Sequence, residues 1–373
     1  MRPAFSSTKQ AAAFALLLVG ILLLPVVLRG WLLPPSSENY LLQGWDTFGD
    51  YPYLYQQIFQ EKEDIDLAFV GSSRVWFGID AVYVQQKLSE QLGRPAVVRT
   101  IAYGWGGYDK LYMVMRDLLQ HRRVRMLVFN DEGKSSNLMD PNAHRWFRFG
   151  ENGADVAGFP MRLKADYYFA SILGLPRNLL SLARSNLVCE MSAADIALRE
   201  KSYFCTNPAT RLGSTALLEG YGRSVVFPED HLRFEAFSPA ASAQPVDAVV
   251  YSAATKDKFQ FSGPPMLVSQ THFAKKFAAL ATEKSAQLIM LHVPDIADAG
   301  LAAIPEREYW PDTLQTDVTM IGIPPPMFFA GLNHEQIFNL FADPFHLNQN
   351  GQKYFTRLIT PTLLKIYEAS TNR

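Results

Sequence analysis

Between residues 65 and 129, short apolar runs alternate with amphipathic segments, and that alternation leaves the chain few folds to choose from. Residues 65–70 ("IDLAFV") are a brief apolar run ending at Gly71, the pattern of a strand buried on both faces of a parallel sheet. Residues 81–92 read as a helix closed by Gly93. A second strand is expected over 96–102 ("AVVRTIA"), a second helix over 110–120 ("KLYMVMRDLLQ") and a third strand over 124–129 ("VRMLVF"). A β-α-β-α-β order implies a parallel sheet with crossover helices. The pattern returns late, with a helix over 271–284, a strand over 286–293, and a final helix over 352–369 that Pro361 bends or interrupts. Between them the alternation is lost. The expectation is an α/β fold, a three-layer parallel-sheet sandwich in two parts (65–149 and 264–373), capped by an insertion over 150–263. That insertion holds a pair of helices around "YYFASILGLPRNLLSLARSNLV".

The N-terminus suggests where this domain resides. Residues 11–28 ("AAAFALLLVGILLLPVVL") carry no charge, and Trp31-Leu32-Leu33 extend the run into the membrane interface. Arg2 and Lys9 favour a cytoplasmic N-terminus. A cleaved signal peptide would have a shorter apolar region ending at a small-x-small site, whereas Arg-Gly-Trp-Leu-Leu-Pro-Pro follows here. The reading is a cytoplasmic tail (1–10), one transmembrane anchor (11–33), a connector (34–64) and everything beyond exported. The expectation is a single-pass protein of the inner membrane with a periplasmic or otherwise extracytoplasmic domain. In such an oxidising compartment Cys189 and Cys205 are expected to pair, contributing roughly 3 kcal/mol in the chain-entropy model. The net charge of −1, without a basic cluster, argues against nucleic acid as a partner. No histidine pair has metal-ligand spacing, so no metal is expected, and no cofactor is expected either. His121 reads as a solvated helix end and His292 as a structural residue near the sheet edge.

Ligands of parallel sheets bind beyond the carboxyl ends of the strands, and the loops there carry candidate chemistry. After the first strand comes Gly71-Ser72-Ser73-Arg74-Val75, an exposed serine pair at the start of a helical segment. Its main-chain N–H groups suit an oxyanion, although a pair of N-capping serines fits equally. Val75 excludes the Gly-x-Ser-x-Gly elbow of α/β-hydrolases. The second strand leads into "YGWGG", where glycines allow either close approach of an N–H to a reacting oxygen or a plain tight turn. Late in the chain, "ADPFHLNQNG" sets Asp343 three residues before His346, at the start of the last expected helix. A carboxylate on one imidazole nitrogen leaves the other free to take a proton from a serine.

Taken together, "FVGSSRVWFGID", "YGWGG" and "DPFHLNQNGQKYF" resemble the first, second and fifth blocks of the SGNH (GDSL-like) hydrolase superfamily, over roughly residues 65–135 and 270–367. The resemblance implies a flavodoxin-like sandwich with Ser73 as nucleophile, His346 as general base and Asp343 as its orienting carboxylate. Main-chain N–H groups of Ser73 and Gly106, or Gly107, would form the oxyanion hole. The third block departs from the family's Gly-x-Asn-Asp. Asn130 is the nearest asparagine, with Asn137 and Asn142 further along, and His144 and Arg145 are candidates for binding an anionic substrate. Membrane-anchored members of the family with Gly-Ser-Ser or Gly-Thr-Ser exist, and several act with polysaccharide-modifying O-acyltransferase machinery. The implied function is serine acyl transfer on O-acetyl or similar esters of envelope or exopolysaccharide glycans, as an esterase or an O-acetyltransferase. The alternative is a non-catalytic adaptor of the same fold that binds a glycan or a membrane-bound O-acyltransferase.

Overall fold

The computed structural model describes residues 5–27, 36–40, 51–103, 107–131, 146–188 and 248–371. Its strands are β1 (Ile65–Gly71), β2 (Val98–Ala102), β3 (Val124–Phe129), β4 (Val249–Val250), β5 (Phe259–Phe261), β6 (Gln287–Leu291), β7 (Ile304–Glu306), β8 (Val318–Gly322), β9 (Phe341–Asp343) and β10 (His346–Leu347). Six of them form one sheet in the order β2-β1-β3-β6-β8-β4. All its neighbours pair in parallel except β4, which runs antiparallel to β8 at the edge.

Alternation along each strand separates two apolar cores. Ala68 and Val70 of β1 face one core with Leu127, Phe129, Leu288 and Met290. Leu67 and Phe69 face the other with Met126, Val128, Ile289 and Leu291. The helices Tyr108–His121 and Val268–Glu283 cover the first face, and Ala81–Leu92 and Gln349–Thr371 cover the second. This is a mixed α/β domain whose mainly parallel sheet carries helices on both faces. The chain crosses from β1 to β2 on one side and then to β3 on the other, which makes the carboxyl end of β1 a topological switch point, where ligands of such sheets bind.

Several expectations need correction. The N-terminal helix spans Thr8–Val27, starting before residue 11 because the Ser7 hydroxyl accepts the Gln10 N–H. It is long and apolar enough to cross a membrane. The last residues assigned to the anchor, 28–33, lie outside the described residues, as do Cys189 and Cys205. The expected helix pair is one helix, Met161–Val188. Pro361 lies inside the Gln349–Thr371 helix without ending it. One lost hydrogen bond is outweighed by the burial of Phe355, Ile359, Leu363 and Tyr367. Within 34–64, read as a connector, Tyr40, Leu54 and Ile58 are fully buried, and the Tyr40 hydroxyl donates to Asp117 at 3.0 Å.

The final helix is fitted closely to what precedes it. A Cβ on Gly351 would lie 2.1 Å from the Leu340 carbonyl oxygen and 2.8 Å from Leu347 Cδ2. Because the nearer obstacle is main chain, it cannot rotate away. Gly351→Ala is expected to lower stability by about 1–3 kcal/mol or more, read as a fall in the unfolding midpoint.

Candidate active site

The sharp turn that ends β1 depends on Gly71, whose φ of 148° is open only to glycine. Beyond it the two serines divide two roles that the sequence left open. Ser72 is buried and caps the short helix Ser73–Gly78, its hydroxyl accepting the Arg74 N–H at 3.3 Å. Ser73 occupies the first helical position, where a main-chain N–H has no acceptor within the helix. Its side chain is half-buried, and its Oγ lies 2.8 Å from His346 Nε2.

His346 arrives on a device that sequence reasoning missed. Asp343 and His346 do not begin a helix. They face each other across the antiparallel β9–β10 hairpin, with Pro344 and Phe345 as its turn. The Asp343 carboxylate shapes that turn, Oδ1 accepting the N–H groups of Phe345 at 2.8 Å and His346 at 3.0 Å. Its Oδ2 lies 2.7 Å from His346 Nδ1. An ionised carboxylate only accepts, so Nδ1 carries the imidazole proton and Nε2 is left to accept from Ser73. Desolvation favours a protonated Asp343, but the hydrogen bonds from the imidazole and the two N–H groups outweigh it and hold its pKa below the usual carboxylate value. The Phe77 ring packs against the imidazole, with centroids 4.9 Å apart.

The final helix brings these distant segments together. Asn348 caps it, accepting the N–H groups of Asn350 and Gly351 at 2.9 and 3.0 Å. One turn apart along it, Gln352 and Thr356 grip the end of the serine helix. The Gln352 amide donates to the Phe77 carbonyl at 3.2 Å, and the Thr356 hydroxyl accepts the Asp80 N–H at 2.9 Å. The segment after Ser73 and the segment after His346 are thus tied to the same helix.

The oxyanion candidates are met unevenly. Gly107 is buried and starts the Tyr108–His121 helix in extended conformation. Gly106 lies outside the described residues, as do His144, Arg145, Asn137 and Asn142. Asn130 follows β3 one step beyond the Val70–Phe129 pair, level with Gly71. Its amide nitrogen donates to the Asp131 carbonyl at 3.1 Å, and its Oδ1 is buried without a partner among the described residues.

Behind the serine lies a charge cluster with no signature in the sequence. The Arg74 guanidinium donates to the Val293 carbonyl and stands 3.7 Å from Asp295. Next to it His292 is buried with a carboxylate on each nitrogen, Glu306 at 2.8 Å from Nδ1 and Asp298 at 2.9 Å from Nε2. Burial alone would strip the ring of its proton, but the bonds to Asp298 and Glu306 prevail and push its pKa up to about 10. Burial also pushes Glu306 up to about 7, against the pull of His292. Both groups hold protons more tightly folded than unfolded. Their contribution to stability is therefore lost as the pH rises, first through about 7 for Glu306 and then through about 10 for His292. His292→Leu leaves the carboxylates uncompensated and is expected to cost about 3–5 kcal/mol, with loss of the alkaline part of the stability–pH profile. Thermal unfolding between pH 6 and 10 measures both. Among the described residues no cluster of His, Cys, Asp and Glu is arranged to hold a metal ion.

Comparison of the chain with protein-family models, with curated proteins and with solved structures finds no significant match.

Proposed function

We propose that this chain is a membrane-anchored serine acyl-transfer enzyme of the SGNH type, acting on ester groups, O-acetyl above all, of envelope or exopolysaccharide glycans. The observation that carries the reading is the unbroken chain from Ser73 Oγ through His346 to Asp343, with contacts of 2.8 and 2.7 Å. In this reading Nε2 takes the hydroxyl proton as Ser73 attacks the ester carbonyl. Main-chain N–H groups of Ser73 and of Gly106 or Gly107 hold the oxyanion. His346 returns the proton to the departing alcohol, leaving an acyl-Ser73 ester. Water then releases the acid, or a sugar hydroxyl takes the acyl group, with His346 removing the proton of either.

The helix Thr8–Val27 supports an anchor, and Arg2 with Lys9 supports an inner-membrane orientation with the domain exported. A membrane-bound O-acyltransferase would then be a neighbour that supplies or receives acyl groups. A specific observation favours a second reading, the non-catalytic adaptor. Asn130, the nearest third-block residue, turns one of its two amide N–H groups onto the carbonyl of its own neighbour Asp131.

Incubating the full chain in detergent with a chromogenic acetyl ester, with and without acetyl-accepting oligosaccharides, tests the proposal. Acetate release alone marks an esterase and acetylated sugar a transferase. Neither product with any ester leaves the adaptor.

A further inference from the structure

We infer that the helix Met161–Val188 is a second membrane-contacting element, lying in the interfacial layer beside the anchor. The inference rests on the reading of Thr8–Val27 as a transmembrane helix. One side of the longer helix is clamped to the domain. Tyr167 and Ala170 are buried, and the Tyr167 hydroxyl donates to Asp109 at 2.9 Å. The opposite side carries Met161, Ala165, Phe169 and Leu173 at i, i+4 spacing. Met161 is 80%, Phe169 53% and Leu173 71% exposed. Arg162 and Asp166 border this stripe. Arg162 is exposed at the helix start, where its charge reaches headgroups, while Asp166 Oδ2 is turned into the protein.

What covers the stripe is indicated by its neighbour. Tyr168, adjacent around the helix, donates its hydroxyl to the Leu22 carbonyl of the apolar N-terminal helix. Within Thr8–Val27, the span long and apolar enough to cross a membrane, Leu22 lies five residues before the last residue. At the rise of an α-helix this is about 7–8 Å. Helices that lie in the membrane interface bury their apolar side by about 5–10 Å. If Thr8–Val27 is the segment that spans the bilayer, the contact at Leu22 sits at interfacial depth, and the stripe faces the same lipid as the exposed Leu23, Val26 and Val27. A domain held this way keeps a fixed tilt to the membrane rather than swinging on a tether.

Cysteines introduced one at a time into the full chain, reconstituted in nanodiscs and labelled with an environment-sensitive fluorophore, test this. Phe169→Cys and Leu173→Cys report on the stripe, Leu17→Cys on the middle of the anchor and Val82→Cys on the far side of the sheet. The unsubstituted chain sets the background from Cys189 and Cys205. The expected result is loss of emission at 169 and 173 with a nitroxide near the lipid headgroup, loss at 17 with a nitroxide deep in the acyl chain, and no loss at 82. Quenching at 17 without quenching at 169 and 173 overturns the inference and leaves the anchor standing. A blue shift at 169 and 173 without lipid quenching assigns the stripe to a second copy of the chain and also overturns it. No quenching at 17 removes both readings together.

Discussion

On the proposed mechanism, replacing Ser73 with alanine is expected to lower the rate of acetyl-ester hydrolysis by about 10⁴-fold or more, because the hydroxyl that would accept the acyl group is gone and only the oxyanion donors would remain. Replacing Ser72 is expected to do something different. Its hydroxyl accepts the Arg74 N–H and caps the serine helix, so Ser72→Ala should cost about 1 kcal/mol of stability. Its rate should stay within about tenfold of the parent, since one cap contributes far less than a nucleophile. Initial rates with a chromogenic ester, read beside thermal unfolding, distinguish the two. Loss of rate in Ser72→Ala with retention in Ser73→Ala would reverse the assignment.

Asp343→Asn isolates the second element of the site. Asparagine retains an oxygen for the Phe345 and His346 N–H groups, so the hairpin turn is expected to persist. Facing Nδ1, however, the amide nitrogen donates rather than accepts, which moves the imidazole proton to Nε2 and leaves nothing to accept from Ser73. The expected rate loss is about 10⁴-fold, the scale on which a forced tautomer disables such a triad. A pH signature accompanies it. Because Asp343 is held below its usual value in the folded protein, its contribution to stability is present above about pH 3.8 and is lost as the pH falls through its lowered pKa. Asp343→Asn should remove that acid-sensitive component from the unfolding profile while leaving the neutral-pH fold intact by circular dichroism.

What the sequence disclosed follows from how each element is stabilised. Strands β1 and β3 were legible because burial on both faces writes them as continuous apolar runs, and the helix Ala81–Leu92 because Gly93 closes it. The β9–β10 hairpin was not. Strands this short have no period to detect, and their geometry is set by one carboxylate binding its own turn. The pairing of Ser73 with His346 was legible as chemistry but not as distance, because the contacts through Gln352 and Thr356 that enforce it involve side chains with ordinary neighbours in sequence. The His292 cluster was invisible for a related reason, since Asp298 and Glu306 reach the ring from two separate elements. A buried ion group of this kind is set by tertiary packing and leaves no spacing rule. β8 was missed among prolines and aromatics that offer no clear alternation, although it extends the sheet next to β6.

The central claim is that the Ser73 hydroxyl is a nucleophile made reactive by His346. Intact-mass analysis after exposure to a fluorophosphonate, followed by peptide mapping, tests it most directly. The account predicts a single adduct on the peptide containing Ser73, absent in Ser73→Ala, present in Ser72→Ala and slowed in Asp343→Asn. An adduct mapped to any other residue, or a wild-type chain that hydrolyses esters yet takes up no label at Ser73, would contradict it.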